Sequence, residues 1–222
     1  MDYKVGTDDP IIHPDKGAGA FDSESTEMSS RAEKLLYSQL QAEAWAATGP
    51  NAVRHLNHYF DESGDPLTID LVGMIRDVPS AKTLFLLELT TAQKFAETLK
   101  PGTWQITSRR ASNGYDTQRE NKDWFFAVGG YSAWGKGTVN VPPFGAARQF
   151  TMDFEYKFYD RYNWDSGKSV HIGPLKITDD FMGKFQRQGL AKEFDSVGSY
   201  QVTVKWAQGS APTITPKPTG GR

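Results

Sequence analysis

Gln149-Phe-Thr-Met-Asp-Phe-Glu-Tyr-Lys-Phe-Tyr159 decides the fold. Phe150, Met152, Phe154, Tyr156 and Phe158 alternate with Thr151, Asp153, Glu155, Lys157 and Tyr159. Successive side chains of a strand point to opposite faces, so a period of two buries one face and wets the other. This is the pattern of an antiparallel sheet covered on one side. Tyr200, Val202, Val204 and Trp206 repeat it in a closing strand. Residues 104–108, 124–128, 138–141 and 170–177 read as shorter strands. The aromatic residues, 13% of the chain, fall mostly between Trp104 and Trp206, which agrees with a strand-rich second half.

Upstream the period lengthens. Ala32, Leu36, Leu40 and Ala44 recur every fourth place across 25–47, with Leu35 and Trp45 widening the stripe, and Gly49-Pro50 stops the helix. A second helix over 51–60 places Val53, Leu56 and Phe60 on one side. Leu67, Ile69 and Leu71 then alternate as a short strand. Pro79-Ser80 opens a helix in which Leu84, Leu87, Phe95 and Leu99 share a face, and Pro101-Gly102 ends it. Asp179 and Asp180 cap a further helix through Phe181 and Phe185.

Residues 1–24, with Pro10, Pro14, Gly17 and Gly19, read as a flexible arm, and 207–222 as a flexible tail. The expected architecture is α+β. A helical region with one short strand (25–102) packs on an antiparallel, partly open, barrel-like β region with one helix (103–206).

Composition removes several function classes. A net charge of -2, with basic runs no longer than Arg109-Arg110, argues against nucleic-acid binding, which needs clustered cations. The absence of cysteine excludes disulfides, thiol catalysis and zinc–thiolate sites. No stretch reaches the roughly 18 apolar residues of a membrane span, and Glu88 interrupts the longest run. The N-terminus lacks the basic and apolar regions of a signal peptide. The expected route is therefore synthesis in the cytoplasm and export or injection by another apparatus into a target periplasm. The run from Gly129 to Gly137 lacks the spacing of a phosphate loop and reads as a connection between two strands. No serine sits in a Gly-x-Ser-x-Gly elbow.

Chemistry gathers in Tyr159-Asp-Arg-Tyr-Asn-Trp-Asp-Ser-Gly-Lys168, which leaves the strongest strand at the rim of the sheet, where loops on a rigid scaffold carry function. Asp160 and Asp165 are its candidate catalytic or metal-holding carboxylates, and Tyr162 and the nearby His171 its candidate proton carriers. Arg161, Asn163, Trp164 and Lys168 are candidate substrate contacts. The plain alternative is a turn in which Asp160 pairs with Arg161 or Lys168. His55 and His58 share a helix face with no carboxylate at ligand spacing, and His13 in the arm reads as solvated.

The second half resembles the activity domain of colicin M-type bacteriocins, over about 52–206 in the order of its features. Those toxins join a partly open antiparallel β-barrel to a helical region. They hydrolyse lipid II between polyprenol and pyrophosphate with magnesium, through Asp-x-Tyr-Asp, five residues, then His-Arg. Ala-Val-Arg-His-Leu-Asn-His-Tyr-Phe (52–60) looks like their helix before a short strand, and 198–206 like their closing strand. Asp160 and Tyr162 take the first two motif places. Asn163 stands at the second aspartate, Asp165 follows two residues later, and Ser169-Val170 occupy the His-Arg place, with His171 two residues late and Lys168 the nearest cation.

The resemblance implies an antibacterial toxin or effector acting on a lipid-linked cell-wall precursor, with Mg2+ as cofactor and a delivery or immunity protein as partner. Two other readings stand beside it. One is a non-catalytic binding or structural module, a component or cargo of a secretion or phage-like injection apparatus. The other is a glycan-binding β-domain using Trp134, Trp164 and Tyr162.

Overall fold

The computed structural model describes residues 2–36, 48–115, 119–145, 148–172 and 175–218. The chain opens with β1 (Tyr3–Val5) and a helix, α1, over 28–36. Then come α2 (Pro50–Phe60), β2 (Leu67–Thr68), α3 (Leu71–Asp77) and α4 (Pro79–Glu97). The next elements are β3 (Gly102–Ser108), β4 (Ser112–Tyr115), α5 (Lys122–Val128), β5 (Gly130–Val141) and β6 (Gln149–Tyr162). Last are β7 (Ser169–Ile172), β8 (Leu175–Thr178), α6 (Asp179–Arg187), β9 (Phe194–Ala207) and β10 (Thr213–Pro216). Leu40, Ala44 and Trp45 of the expected first helix lie outside the described residues.

The fold is α+β. Among the described residues one open, mixed sheet runs β1-β3-β5-β6-β9-β10, with β4 on β5 and β2 parallel to β9. The β7–β8 hairpin stands apart. The stripe read from the sequence is the centre of the core: Phe150, Met152, Phe154, Tyr156 and Phe158 are each no more than 1% exposed. Burial of each such side chain stabilises by roughly 1.5–3 kcal/mol. α4 covers them with Phe85, Leu89, Ala92 and Ala96; Leu87, expected on that face, is 49% exposed. A smaller cluster joins Tyr59 and Phe60 of α2 to Met182 and Phe185 of α6.

Five local readings change. Residues 170–177, expected as one strand, fold back on themselves as the antiparallel β7–β8 hairpin. Residues 124–128 are helical, because the Asn121 side chain accepts from Trp124 N at 3.1 Å and caps α5. The glycine run is strand β5 rather than a connection. Its glycines have a packing cause, since a methyl group on Gly135 would meet the Phe154 ring and the Tyr3 hydroxyl. Thr178, not Asp179, caps α6 through Phe181 N at 3.2 Å. Leu71 opens α3, capped by Asp70, instead of closing a strand.

The arm and tail carry structure that no periodicity announces. β1 pairs with β3 and β10 with β9, each a three- or four-residue edge strand. Beyond β1, Asp9 accepts from Lys136 at 2.7 Å, Lys157 at 2.8 Å and Trp134 Nε1 at 3.1 Å. Partial burial pushes its carboxyl up, but these three donors outweigh it and hold the pKa at about 2. Farther on, Ala18 N donates to Glu193 at 2.8 Å.

Candidate functional site

β6 does not stop at Tyr159. It pairs with β9 through Asp160↔Ser196 and Tyr162↔Phe194, so Asp160 and Tyr162 continue the even-numbered, core-facing stripe. The hydrophobic stripe thus ends in a carboxyl and a phenol. A cavity of about 600 Å³ opens there. Asp160, Tyr162, Asn163 and Trp164 line it from the end of β6, the second half of α5 supplies another part, and arm residues 12–15 reach it as well.

Asp160 is half-buried and forms no ion pair among the described residues, so the turn in which it pairs with Arg161 or Lys168 is not the one adopted. Arg161 instead donates to Asp195 at 2.9 Å, and the Tyr159 hydroxyl donates to the same oxygen at 3.0 Å. Burial raises the Asp160 carboxyl well above its ordinary range. The Arg161 backbone N–H opposes this, and the carboxylates of Asp15 and Asp195 reinforce it. Burial, then Asp160 and Asp179, also keep the proton on Tyr162. The Tyr162 ring stacks on Phe194 at 4.9 Å, meets Trp164 edge-on at 5.7 Å and lies 5.7 Å from His55. Burial lowers His55 to a pKa of about 4, so near neutral pH it packs as an uncharged ring with Nδ1 on the Asn51 carbonyl.

The remaining candidates divide. Lys168 lines the cavity but pairs with Asp165 at 2.9 Å. The other Asp165 oxygen accepts from Gly17 N at 3.1 Å, and Asp165 is not among the cavity residues. The Asn163 amide, oriented as its contacts require, donates to the Arg161 carbonyl at 3.0 Å and accepts from Gly17 N at 3.3 Å. A carboxylate there could not make the first of these bonds. Trp164 donates its backbone N–H to Glu193 at 3.1 Å. His171 is exposed on β7, opposite Lys176, away from the cavity.

Among the lining residues that sequence reasoning left outside the site, His13, Asp15 and Asp179 bring further titratable groups to the cavity. Burial raises the Asp179 carboxyl. No local pattern marks the two arm residues, which arrive by the tertiary route of the arm. Among the described residues no three of His, Asp and Glu converge at metal-binding distance, and His58 pairs with Asp61 at 3.0 Å. No helix among them is long and apolar enough to cross a membrane.

No protein-family model matches the chain, and no curated protein sequence does. Among solved structures, truncated bacteriocin syringacin M from Pseudomonas syringae pv. tomato DC3000 is similar at 15% sequence identity and a TM-score of 0.37. The match covers 72% of this chain and 61%, less than two thirds, of that one.

Proposed function

We propose that the cavity at the end of β6 is the active site of an antibacterial toxin domain that hydrolyses the polyprenyl–pyrophosphate linkage of a lipid-linked cell-wall precursor. The observation that carries the reading is Asp160: a carboxyl without a cationic partner, at the end of the buried stripe, lining an open cavity. Removing a carboxyl from water and from cations raises its basicity toward the range useful near neutral pH. Asp160 then accepts the proton of the attacking water as oxygen adds to phosphorus. Tyr162, which keeps its phenolic proton, donates toward the departing polyprenyl oxygen.

The three acids Asp15, Asp160 and Asp179 make the cavity poor in free positive charge, because Arg161 and Lys168 are already paired. An anionic pyrophosphate therefore needs a cation to enter. The donor set suits magnesium, which takes one or two carboxylates and fills its other places with water and substrate oxygens. Asp179 is the residue that would hold it, which leaves Asp160 free of the cation as the base, and Asp165, spent on Gly17 and Lys168, would not. Bound magnesium would neutralise the pyrophosphate and polarise its phosphoryl oxygens.

The test is incubation with lipid II and Mg2+ and chromatography of the phosphate-containing products. Release of pyrophosphoryl-disaccharide peptide by the wild type, lost in Asp160→Asn, is the expected result. Turnover that survives Asp160→Asn removes the mechanism, and no release by the wild type removes the activity.

A further inference from the structure

The cavity has a second chemistry that the carboxyls do not use. α5 turns Phe125 and Phe126 into it, two half-buried rings in an edge-on pair at 5.2 Å. From the arm comes Ile12, also half-buried, and its neighbour Ile11 is 84% exposed. A wholly polar ligand would fill the Asp160 region and leave this apolar surface wet. Binding sites combine apolar walls with a few convergent polar groups when the ligand itself has both parts. The arm section that brings Ile12 is fixed by the Asp9 clasp before it and by Gly17 and Ala18 behind it.

We propose that Ile12 of the arm and Phe125 and Phe126 of α5 form a subsite for the isoprenoid chain of a phosphate-linked lipid, with the phosphate end at Asp160. This rests on the functional reading above for the position of the phosphate. The chain is the occupant because the apolar wall is continuous with the cavity of the proton-handling pair. Each methylene buried there tightens binding about fourfold, so even a short chain reads out clearly against the bare phosphate.

The experiment is calorimetric titration of the full chain, with Mg2+ present, using farnesyl pyrophosphate and inorganic pyrophosphate as the two probes. The expected result is at least tenfold tighter binding of the farnesyl compound, with the ratio falling toward one in Phe126→Ser and in Ile12→Ser. Ile12 lies on the surface arm, so its substitution remains informative if the α5 variant folds poorly. Equal affinity for the two probes, no binding of either, or a ratio that survives both substitutions overturns the subsite. Turnover fails separately: an intact ratio without lipid II hydrolysis keeps the subsite and discards the activity, and hydrolysis with a ratio of one does the opposite.

Discussion

Arg161 reaches Asp195 at 2.9 Å across the β6–β9 ladder, and in doing so it leaves Asp160, one residue earlier and on the opposite face, without a cation. The pleat separates the two neighbours. Arg161 meets its acid on one face of the ladder, whereas Asp160 and Tyr162 share the other.

Asp160→Asn should stabilise the fold at neutral pH while abolishing turnover. The Asp160 carboxyl is raised in the folded chain from its ordinary 3.8. Its contribution to stability is therefore fully present below that value and is lost as pH rises through the folded pKa. Asparagine keeps the shape and removes this loss. Thermal melts from pH 4 to pH 8 should fall more steeply for the wild type, and the variant should melt a few degrees higher at pH 7, on a scale of roughly 2–4 °C per kcal/mol.

Asp195→Asn should lower the Tyr159 pKa. Burial, then the hydrogen bond and charge of Asp195, lift that phenol to about 12. Removing the carboxylate leaves burial opposed by the Arg161 charge, so the midpoint should move down. Difference absorbance of the phenolate follows it. An unchanged midpoint would contradict the assignment of Asp195 as the cause.

Asp9→Ala should loosen the arm more than it destabilises the sheet. Its carboxylate is 38% exposed, and ion pairs of that kind contribute below about 1 kcal/mol each. Residues 10–16 should gain amide exchange and protease cleavage, with the melting temperature nearly constant. In the wild type the same release should appear on acidification. A carboxyl depressed to about 2 stabilises above its unfolded pKa and loses that contribution as pH falls toward 2.

Glu88→Ala should be the costly substitution. Glu88 is fully buried and accepts from the hydroxyls of Tyr3 at 2.8 Å, Ser108 at 2.9 Å and Ser112 at 2.8 Å. Alanine leaves the Ser108 and Ser112 hydroxyls without this acceptor, each costing about 1–3 kcal/mol, and leaves the Tyr3 hydroxyl only the residue-88 carbonyl at 3.3 Å. Denaturant unfolding should show a loss of about 3 kcal/mol or more, and Glu88→Gln should recover part of it.

The stripe from Phe150 to Phe158 was legible because period two needs no tertiary knowledge. The same parity reaches Asp160 and Tyr162, but a strand ending in a carboxyl reads as a loop until the pairing with Ser196 and Phe194 is seen. In α5 the aromatic run Trp124-Phe125-Phe126 suggests a strand, and the Asn121 cap overrides it. His13 and Asp15 were beyond local reading, since ion pairs more than a hundred residues away in sequence steer the arm to the cavity. His171 illustrates the converse: proximity in sequence put it on a separate hairpin.

β1 and β10 lie along the flanks of the long strands β3 and β9, and both come from the ends of the chain. Their brevity hides their purpose, which is to occupy hydrogen-bonding backbone that would otherwise recruit a neighbouring molecule. Removing β1 or β10 would bare that backbone, and oligomers growing by strand addition would be the first symptom.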